Sequence, residues 1–251
     1  MKFNSSYFQK KILNSNLLEF DLIYIYSDFR FFFSQNKNQI DFLNDILNIF
    51  LKNKKTIIIP AFSYTKTNYH VDKTKSLAGF LSNFLLNNKN SRRSHHPLFS
   101  YLATGPKKKI VNNIGKSSFG NNCLHSKLLF NNCAFFHIGR GLEHGNTLVH
   151  HVEQNLNADY RFDKMFKSKT YKNNNYIGTN YKAFVRRKID RSTEFTFKKI
   201  LENKKLKKLI VNLNKEKDLK SLFYYSFDEF YFLLHELYIK NRNIFIKKKG
   251  D

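Results

Sequence analysis

Two short runs of β-branched and aromatic residues, Leu22-Ile23-Tyr24-Ile25-Tyr26 and Thr56-Ile57-Ile58-Ile59-Pro60, flank a stretch with helical periodicity. Both are apolar at consecutive rather than alternate positions, so they read as strands buried on both faces. Between them Ile40, Leu43, Ile46, Leu47 and Phe50 recur at helical spacing, which predicts an amphipathic helix over Gln39 to Leu51. Strand, helix, strand in this order points to the α/β class, a sheet core with helices packed on its faces. A further apolar run, Ala134-Phe135-Phe136-His137-Ile138-Gly139, adds another buried strand closed by a glycine.

The stretch after that strand carries the best candidate chemistry: Gly145-Asn146-Thr147-Leu148-Val149-His150-His151-Val152-Glu153. A helix beginning at Asn146 or Thr147 places Thr147, His150 and Glu153 along one face. An imidazole with an ordinary pKa of about 6.5 accepts a proton at neutral pH, and a neighbouring carboxylate fixes its tautomer and steadies its charged form. His150 with Glu153 is therefore a candidate general base with its orienting partner, and His151 is the competing base. A solvent-facing helix with polar ends would carry the same residues without chemistry.

The rest of the chain predicts a short leading helix over Met1 to Leu18, a helix over Ser76 to Leu86 with Leu77, Phe80, Leu81, Phe84 and Leu85 on one side, and a helix or strand over Ser126 to Phe130. Strands are expected at Tyr160-Arg161-Phe162 and Ala183-Phe184-Val185-Arg186, around a polar excursion, Lys167 to Asn180, that reads as a substrate lid or loop or as a disordered segment. Thr193 to Leu201 is expected helical, Leu209 to Leu213 a short strand, Ser226 to Asn241 a helix, and Lys247 to Asp251 a frayed tail. Ligands gather where strands of open α/β sheets end, which makes Ser27 a candidate contact, a turn or cap residue being the alternative. Arg92-Arg93-Ser94-His95-His96-Pro97 can hold phosphate or orient a carbonyl, or form a solvated turn.

At 251 residues and 41% apolar the chain can build one main domain, 1–251. No segment approaches the roughly 18 uninterrupted apolar residues of a membrane helix, and Met1 to Phe20 lacks a signal peptide's apolar block, so a cytoplasmic location without membrane contact is expected. Cys123 and Cys133 have no CxxC or zinc-type spacing, which implies reduced thiols, no metal, and a packing role for Cys123. The formal charge of +25 invites a nucleic-acid reading. The lysines are nevertheless spread along the chain among asparagine, isoleucine and phenylalanine, which argues against nucleic acid and leaves a field that favours anionic ligands such as a phosphate-bearing coenzyme.

With these residues in view the chain resembles the antibiotic N-acetyltransferase family, the aminoglycoside 3-N-acetyltransferases. Leu22 to Arg30 is similar to the family's opening strand and coenzyme loop, and Ile58-Ile59-Pro60-Ala61-Phe62-Ser63 to its second strand. Asp72 with Thr74 and Ser76 to Gly79 resembles the next helix start, Arg93-Ser94-His95-His96-Pro97 with Ser100 and Gly105-Pro106 its RSxHP segment, and Asn146-Thr147-x-x-His150-x-x-Glu153 its catalytic block. The blocks run from about residue 20 to about 190. Departures are Tyr26-Ser27-Asp28 where the family usually has His-Ser-Ser, and Cys123-Leu124 where it often has Ser-Pro.

The resemblance implies a three-layer α/β/α fold with a central mixed sheet, and transfer of acetyl from acetyl-CoA to a primary amine of an aminoglycoside or amino sugar. His150 would be the base, Glu153 its partner, and the Thr147 hydroxyl would hydrogen-bond to the thioester oxygen or to the incoming amine. Ser27, Phe29, Arg30, Arg93, Ser94, His96 and Ser100 would contact coenzyme A, and Ser63, Asp72 and Tyr160 the amine substrate. Polycationic acceptors want a cleft lined by carboxylates, for which Glu143, Asp159 and Asp163 are candidates. With 19 acidic residues against 44 Lys and Arg, a weakly charged or nucleotide-linked amino sugar, as used in surface polysaccharides, is a rival to an antibiotic. A basic binding module without catalysis is the alternative from another class.

Overall fold

The computed structural model describes residues 4–30, 38–144, 146–187, 193–214 and 222–248. Gly145, Met1 to Phe3 of the leading segment and Lys249 to Asp251 of the tail lie outside the described residues. The chain begins with α1 (Ser5–Leu13) and β1 (Leu22–Ser27), followed by α2 (Gln39–Lys52) and β2 (Thr56–Pro60). After these come β3 (Asn68–His70), α3 (Phe80–Leu86), β4 (Arg92–Arg93), β5 (Tyr101–Thr104), α4 (Leu124–Leu128), β6 (Cys133–Ile138) and α5 (Leu148–Asn155). Four strands follow, β7 (Arg161–Phe166), β8 (Lys169–Lys172), β9 (Asn175–Gly178) and β10 (Tyr181–Arg186), then β11 (Thr193–Phe195), α6 (Lys198–Leu201), α7 (Lys204–Leu209) and β12 (Val211–Asn212). The described chain closes with β13 (Leu222–Ser226), α8 (Phe227–Lys240) and β14 (Ile246–Lys248).

Seven strands form the central mixed sheet in the order β12-β13-β6-β1-β2-β5-β4. β1 runs parallel to β2 and β6, while β13 and β5 join antiparallel on either side. The pleat sorts side chains between two cores. Tyr24, Tyr26, Ile58, Phe135 and Tyr225 face the layer built from α4, α5 and α8, whereas Ile23, Ile25, Ile57, Ile59 and Phe136 face α1, α2 and α3. This is the expected three-layer arrangement. Each fully buried Leu, Ile or Phe in it contributes about 1.5–3 kcal/mol.

Local chemistry sets the helix ends. Asn38 Oδ1 caps α2 by accepting from Ile40 N and Asp41 N at 3.1 and 3.2 Å, and the helix buries Phe42, Leu43, Ile46, Leu47, Ile49 and Phe50. The helix expected from Ser76 begins at Phe80 instead. Gly79 sits at φ +121°, a conformation no helical residue adopts, and Leu77 before it is 72% exposed rather than packed in the core.

The Lys167 to Asn180 segment is ordered, and the expectations for Thr193 to Leu201, for the tail and for Leu209 to Leu213 are corrected. Lys167 to Asn180 is a hairpin, β8 with β9, whose first strand pairs with β3. It is fastened further by Lys169 N donating to Thr67 O at 2.8 Å and Ser168 Oγ to Thr65 O at 2.7 Å. Thr193 to Phe195 is a strand paired with β14, so helix is confined to Lys198–Leu201 and the tail is ordered through Lys248. Helix α7 reaches Leu209, leaving Val211–Asn212 as the strand. Among the described residues no helix is long and apolar enough to cross a membrane.

Candidate active site

The parallel strands β1, β2 and β6 deliver their carboxyl ends to one rim of the sheet, where Tyr26, Pro60 and Arg140 line a cavity of about 640 Å³. Helix α5 closes one side with Thr147 and His150. The β7/β10 pair supplies Arg161, Phe184, Val185 and Arg186. Phe62, Tyr64, Leu77 and Ala78 form the wall that follows β2, so the exposed Leu77 belongs to the cavity.

Asn146, rather than Thr147, satisfies the start of α5: its Oδ1 accepts from Leu148 N at 3.2 Å while its Nδ2 donates to the Tyr225 hydroxyl at 3.1 Å. One turn on, His150 Nδ1 lies 2.7 Å from Glu153 Oε2. Glu153 has no exposed side-chain surface, and His150 retains 27%, on the cavity side. Tyr160 donates its hydroxyl to Glu153 Oε1 at 2.8 Å, and Arg161 Nε forms an ion pair with Oε2 at 2.8 Å, angled off a hydrogen bond. Burial alone would push the Glu153 carboxyl up. The hydrogen bond and charge of His150, the Arg161 charge and the Tyr160 hydroxyl outweigh it and hold the carboxyl below its usual value. An ionised carboxylate accepts only, so Nδ1 of His150 is the donor of this pair and Nε2 is the ring nitrogen turned away from it.

The spacing argument brought Thr147 into line with His150, but its hydroxyl is tied elsewhere. Thr147 Oγ1 lies 3.0 Å from the Tyr26 hydroxyl and 3.1 Å from His125 Nε2, while Thr147 N donates to the Tyr26 oxygen at 3.3 Å. Tyr26, His125 and Arg161 are site residues that the sequence reading missed. They come from β1, α4 and β7 and meet only through the fold.

His151 is fully buried between Gly120 N, which donates to its Nδ1 at 3.2 Å, Cys123 Sγ at 3.4 Å and Asn155 Nδ2 at 3.1 Å from Nε2. Burial pushes its pKa down to about 4 and that of the Cys123 thiol up to about 11. The cysteine thus has a histidine beside it, out of contact with the cavity.

The residues assigned to coenzyme A fall into two places. At the end of β1, Ser27 is half-buried, Phe29 is buried against Phe42, and Arg30 is 90% exposed and paired with Asp28. The RSxHP segment is internal. Arg93 donates to Ala61 O at 2.7 Å, to Thr74 O and to Ser100 Oγ at 3.2 Å, and its guanidinium lies over the Tyr69 ring at 5.1 Å. Ser94 Oγ accepts from Tyr101 N, Ser100 Oγ donates to Ala61 O, and His96 accepts from Leu98 N and Phe99 N while its Nε2 faces Lys182 O. These side chains hold main chain, and through Ala61 and Thr74 they fix the wall that carries Phe62, Tyr64 and Leu77.

Arg93→Met should therefore lower stability by about 3 kcal/mol or more, because several buried carbonyls lose a charged donor together. A urea midpoint equal to that of the parent chain would show that the wall is held by something else.

Of the residues assigned to the amine, Ser63 donates to Pro97 O at 2.6 Å, Asp72 is exposed and accepts from Asn173 N at 2.8 Å on the small sheet, and Tyr160 is bound to Glu153. Glu143 lines the cavity, whereas Asp159 and Asp163 are exposed outside it. Among the described residues no group of His, Cys, Asp and Glu is arranged to hold a metal.

Against known proteins, the sequence model of the family described as aminoglycoside 3-N-acetyltransferase matches residues 45–217. The aminoglycoside acetyltransferase AAC(3)-Xa superposes with a TM-score of 0.76 at 10% identity, covering 94% of this chain and 92% of its own. AAC(3)-IIb gives 0.75 at 11%, covering 96% and 98%, and the YokD protein from Bacillus subtilis gives 0.72 at 13%, covering 95% and 100%. A comparison with curated protein sequences finds no match.

Proposed function

Because the chain belongs to the aminoglycoside 3-N-acetyltransferase family, we propose that it transfers an acetyl group from acetyl-CoA to a primary amine of an aminoglycoside or amino sugar, directly and with His150 as general base. The single observation that carries the reading is the His150–Glu153 pair at 2.7 Å on the edge of a cavity at the carboxyl ends of β1, β2 and β6. An apolar, aromatic-walled cavity fits the uncharged arm of the co-substrate, and its arginines suit an anionic ligand.

A primary amine is mostly protonated at neutral pH and must lose a proton to attack. In the proposed step the ammonium first gives one proton to solvent, the amine nitrogen then forms a bond to the acetyl carbon, the carbon–sulfur bond breaks, and the second proton leaving the nitrogen passes to His150 Nε2 and on to the departing thiolate. Glu153 holds the ring through Nδ1. Arg161 already balances the Glu153 charge, so His150 can begin neutral and still be steadied when it takes the proton. Access favours His150 over the enclosed His151.

Thr147 supplies the donor to the thioester oxygen. In this arrangement the Tyr26 oxygen accepts from Thr147 N and its hydroxyl would donate to Thr147 Oγ1, 3.0 Å away. His125 Nδ1 is buried without a partner, which favours the tautomer protonated at Nε2, and that proton also reaches Oγ1. With both lone pairs engaged, the Thr147 hydroxyl would keep its own hydrogen to donate.

Thr147→Val is expected to lower kcat by about 10²-fold, the worth of one such donor, and Tyr26→Phe by less, through loss of orientation alone. Steady-state kinetics check this; a full-rate Thr147→Val enzyme would exclude the hydroxyl from the reaction. The function as a whole is tested by thiol release from acetyl-CoA with aminoglycosides and amino sugars, alongside calorimetry with coenzyme A. Turnover supports the transferase. Nucleic-acid affinity that falls with salt, without coenzyme binding, supports the basic binding module instead.

A further inference from the structure

Coenzyme A ends in a nucleotide that carries a diphosphate and a further phosphate, and the basic residues first assigned to it are not placed to meet them. Arg93 directs its guanidinium to carbonyls inside the protein, and the exposed Arg30 is paired with Asp28. The catalytic cavity offers no clear surplus either. Arg161 is matched by Glu153, and Arg140 shares the lining with Glu143. The phosphates of the co-substrate call for cations elsewhere.

The strand pair β7/β10 divides its side chains between two faces. On one face of β7 Arg161 pairs with Glu153, and Asp163 accepts from Gln154 Nε2 at 3.0 Å, so both turn toward α5. Alternation sends Phe162, Lys164 and Phe166 the other way, with Val185 opposite Phe162 in the register. There they line a second cavity, of about 800 Å³, to which Lys66 and Lys167 also contribute. Val185 lines both cavities, and Tyr64 lines the first while Lys66, two residues on, lines the second, so the two adjoin. Among the described residues lining the second cavity there is no carboxylate, and Lys66, Lys164 and Lys167 form no ion pair. Lys164 Nζ stands 5.6 Å over the Phe166 ring, an attraction that leaves its charge unneutralised.

We propose that this second cavity receives the nucleotide end of coenzyme A, with its phosphates among Lys66, Lys164 and Lys167 and its adenine against Phe162 and Phe166. The proposal rests on the acetyltransferase reading above. Ammonium groups on flexible stems follow a phosphate chain as point charges, and a flat ring takes a base by stacking. Arg187 braces the panel: its guanidinium lies 5.9 Å over the Phe162 ring while its Nε donates to Asp159 O at 2.7 Å. The thiol end then enters the catalytic cavity past Val185, and the phosphates stay at the exposed lysines. Lysines attract nucleic acid and anionic lipid as well, but a recess adjoining the reaction cavity suits a ligand with a reactive end to deliver there.

The test is calorimetry of the full chain and of the triple variant Lys66→Gln, Lys164→Gln, Lys167→Gln with coenzyme A, and with pantetheine, which lacks the nucleotide. The parent chain should bind coenzyme A at least about tenfold more tightly than the variant does, and the difference should shrink as salt rises. Pantetheine should bind the two chains alike. All three lysines are exposed, so the variant should keep the parent's melting temperature. Equal affinity of the two chains for coenzyme A would overturn the proposal and leave the transferase standing. A loss of pantetheine binding as large as that of coenzyme A would do the same, as would a loss confined to an RNA oligonucleotide or to anionic vesicles. Absence of coenzyme A binding by the parent chain would overturn both. Where pantetheine binds too weakly to measure, the comparison of coenzyme A between the two chains decides.

Discussion

Replacing His150 with alanine is expected to lower kcat by at least about a hundredfold, within the 10²–10⁴ range that a positioned general base supplies. The fold should survive. The ring keeps 27% of its surface, and Glu153 retains Tyr160 and Arg161 when the imidazole is gone. Affinity for coenzyme A should change little, because the lost group acts on the amine. Full activity in His150→Ala, with an unaltered melting temperature, would remove this residue from the mechanism.

Acid should unfold the protein early. Burial holds His96 and His151 down to about 4 and His137 down to about 3, and it drives His125 well below its ordinary value, with the neighbouring His151 and His150 adding to the effect. These bases bind a proton less readily folded than unfolded. From about pH 6.5 down to their native values the unfolded chain therefore holds protons that the native chain refuses, and stability falls as pH falls. A difference of about 2.5 pH units corresponds to about 3 kcal/mol for each such ring.

Domains of this kind have only about 5–15 kcal/mol in hand, so several rings together are enough to unfold the chain above pH 4. Glu153 works in the same direction. Its lowered pKa contributes stability that is present above about pH 4.3 and lost as pH falls through its native value. Near-ultraviolet circular dichroism against pH measures the midpoint, and a chain still native at pH 3.5 would refute the assignment of neutral buried imidazoles.

The fold was legible where one element's pattern decides the matter. The strands at Leu22 and Thr56 are continuous apolar runs, and the helix from Gln39 repeats its apolar face for more than three turns, so periodicity sufficed. The hairpin at Lys169–Gly178 was not legible, because Lys169, Asn175 and Tyr176 leave its outer face polar or exposed and its pairing partner is the distant β3. Leu77 and Phe80 matched the helical spacing, but Gly79 interrupts the helix and Leu77 serves the cavity wall.

The site divides in the same way. His150 and Glu153 lie one turn apart on a single helix, which sequence spacing can specify. Arg161, Tyr26 and His125 reach their partners from other elements, and nothing local marks them. Arg93 shows the opposite failure: a basic residue in a polar segment resembles a phosphate ligand on paper, yet four hydrogen bonds from its guanidinium go to carbonyls and a hydroxyl inside the protein.

The enclosure of Cys123 beside His151 has a practical side. Both thiols are shut away and held in their unreactive protonated form, Cys123 at about 11 and Cys133 well above its ordinary value. A chromogenic disulfide added to follow coenzyme release is consequently blind to the native polypeptide and sees only free coenzyme. In the absence of substrate the same dye becomes a stopwatch for spontaneous opening, since colour can then come only from molecules that have exposed their interior.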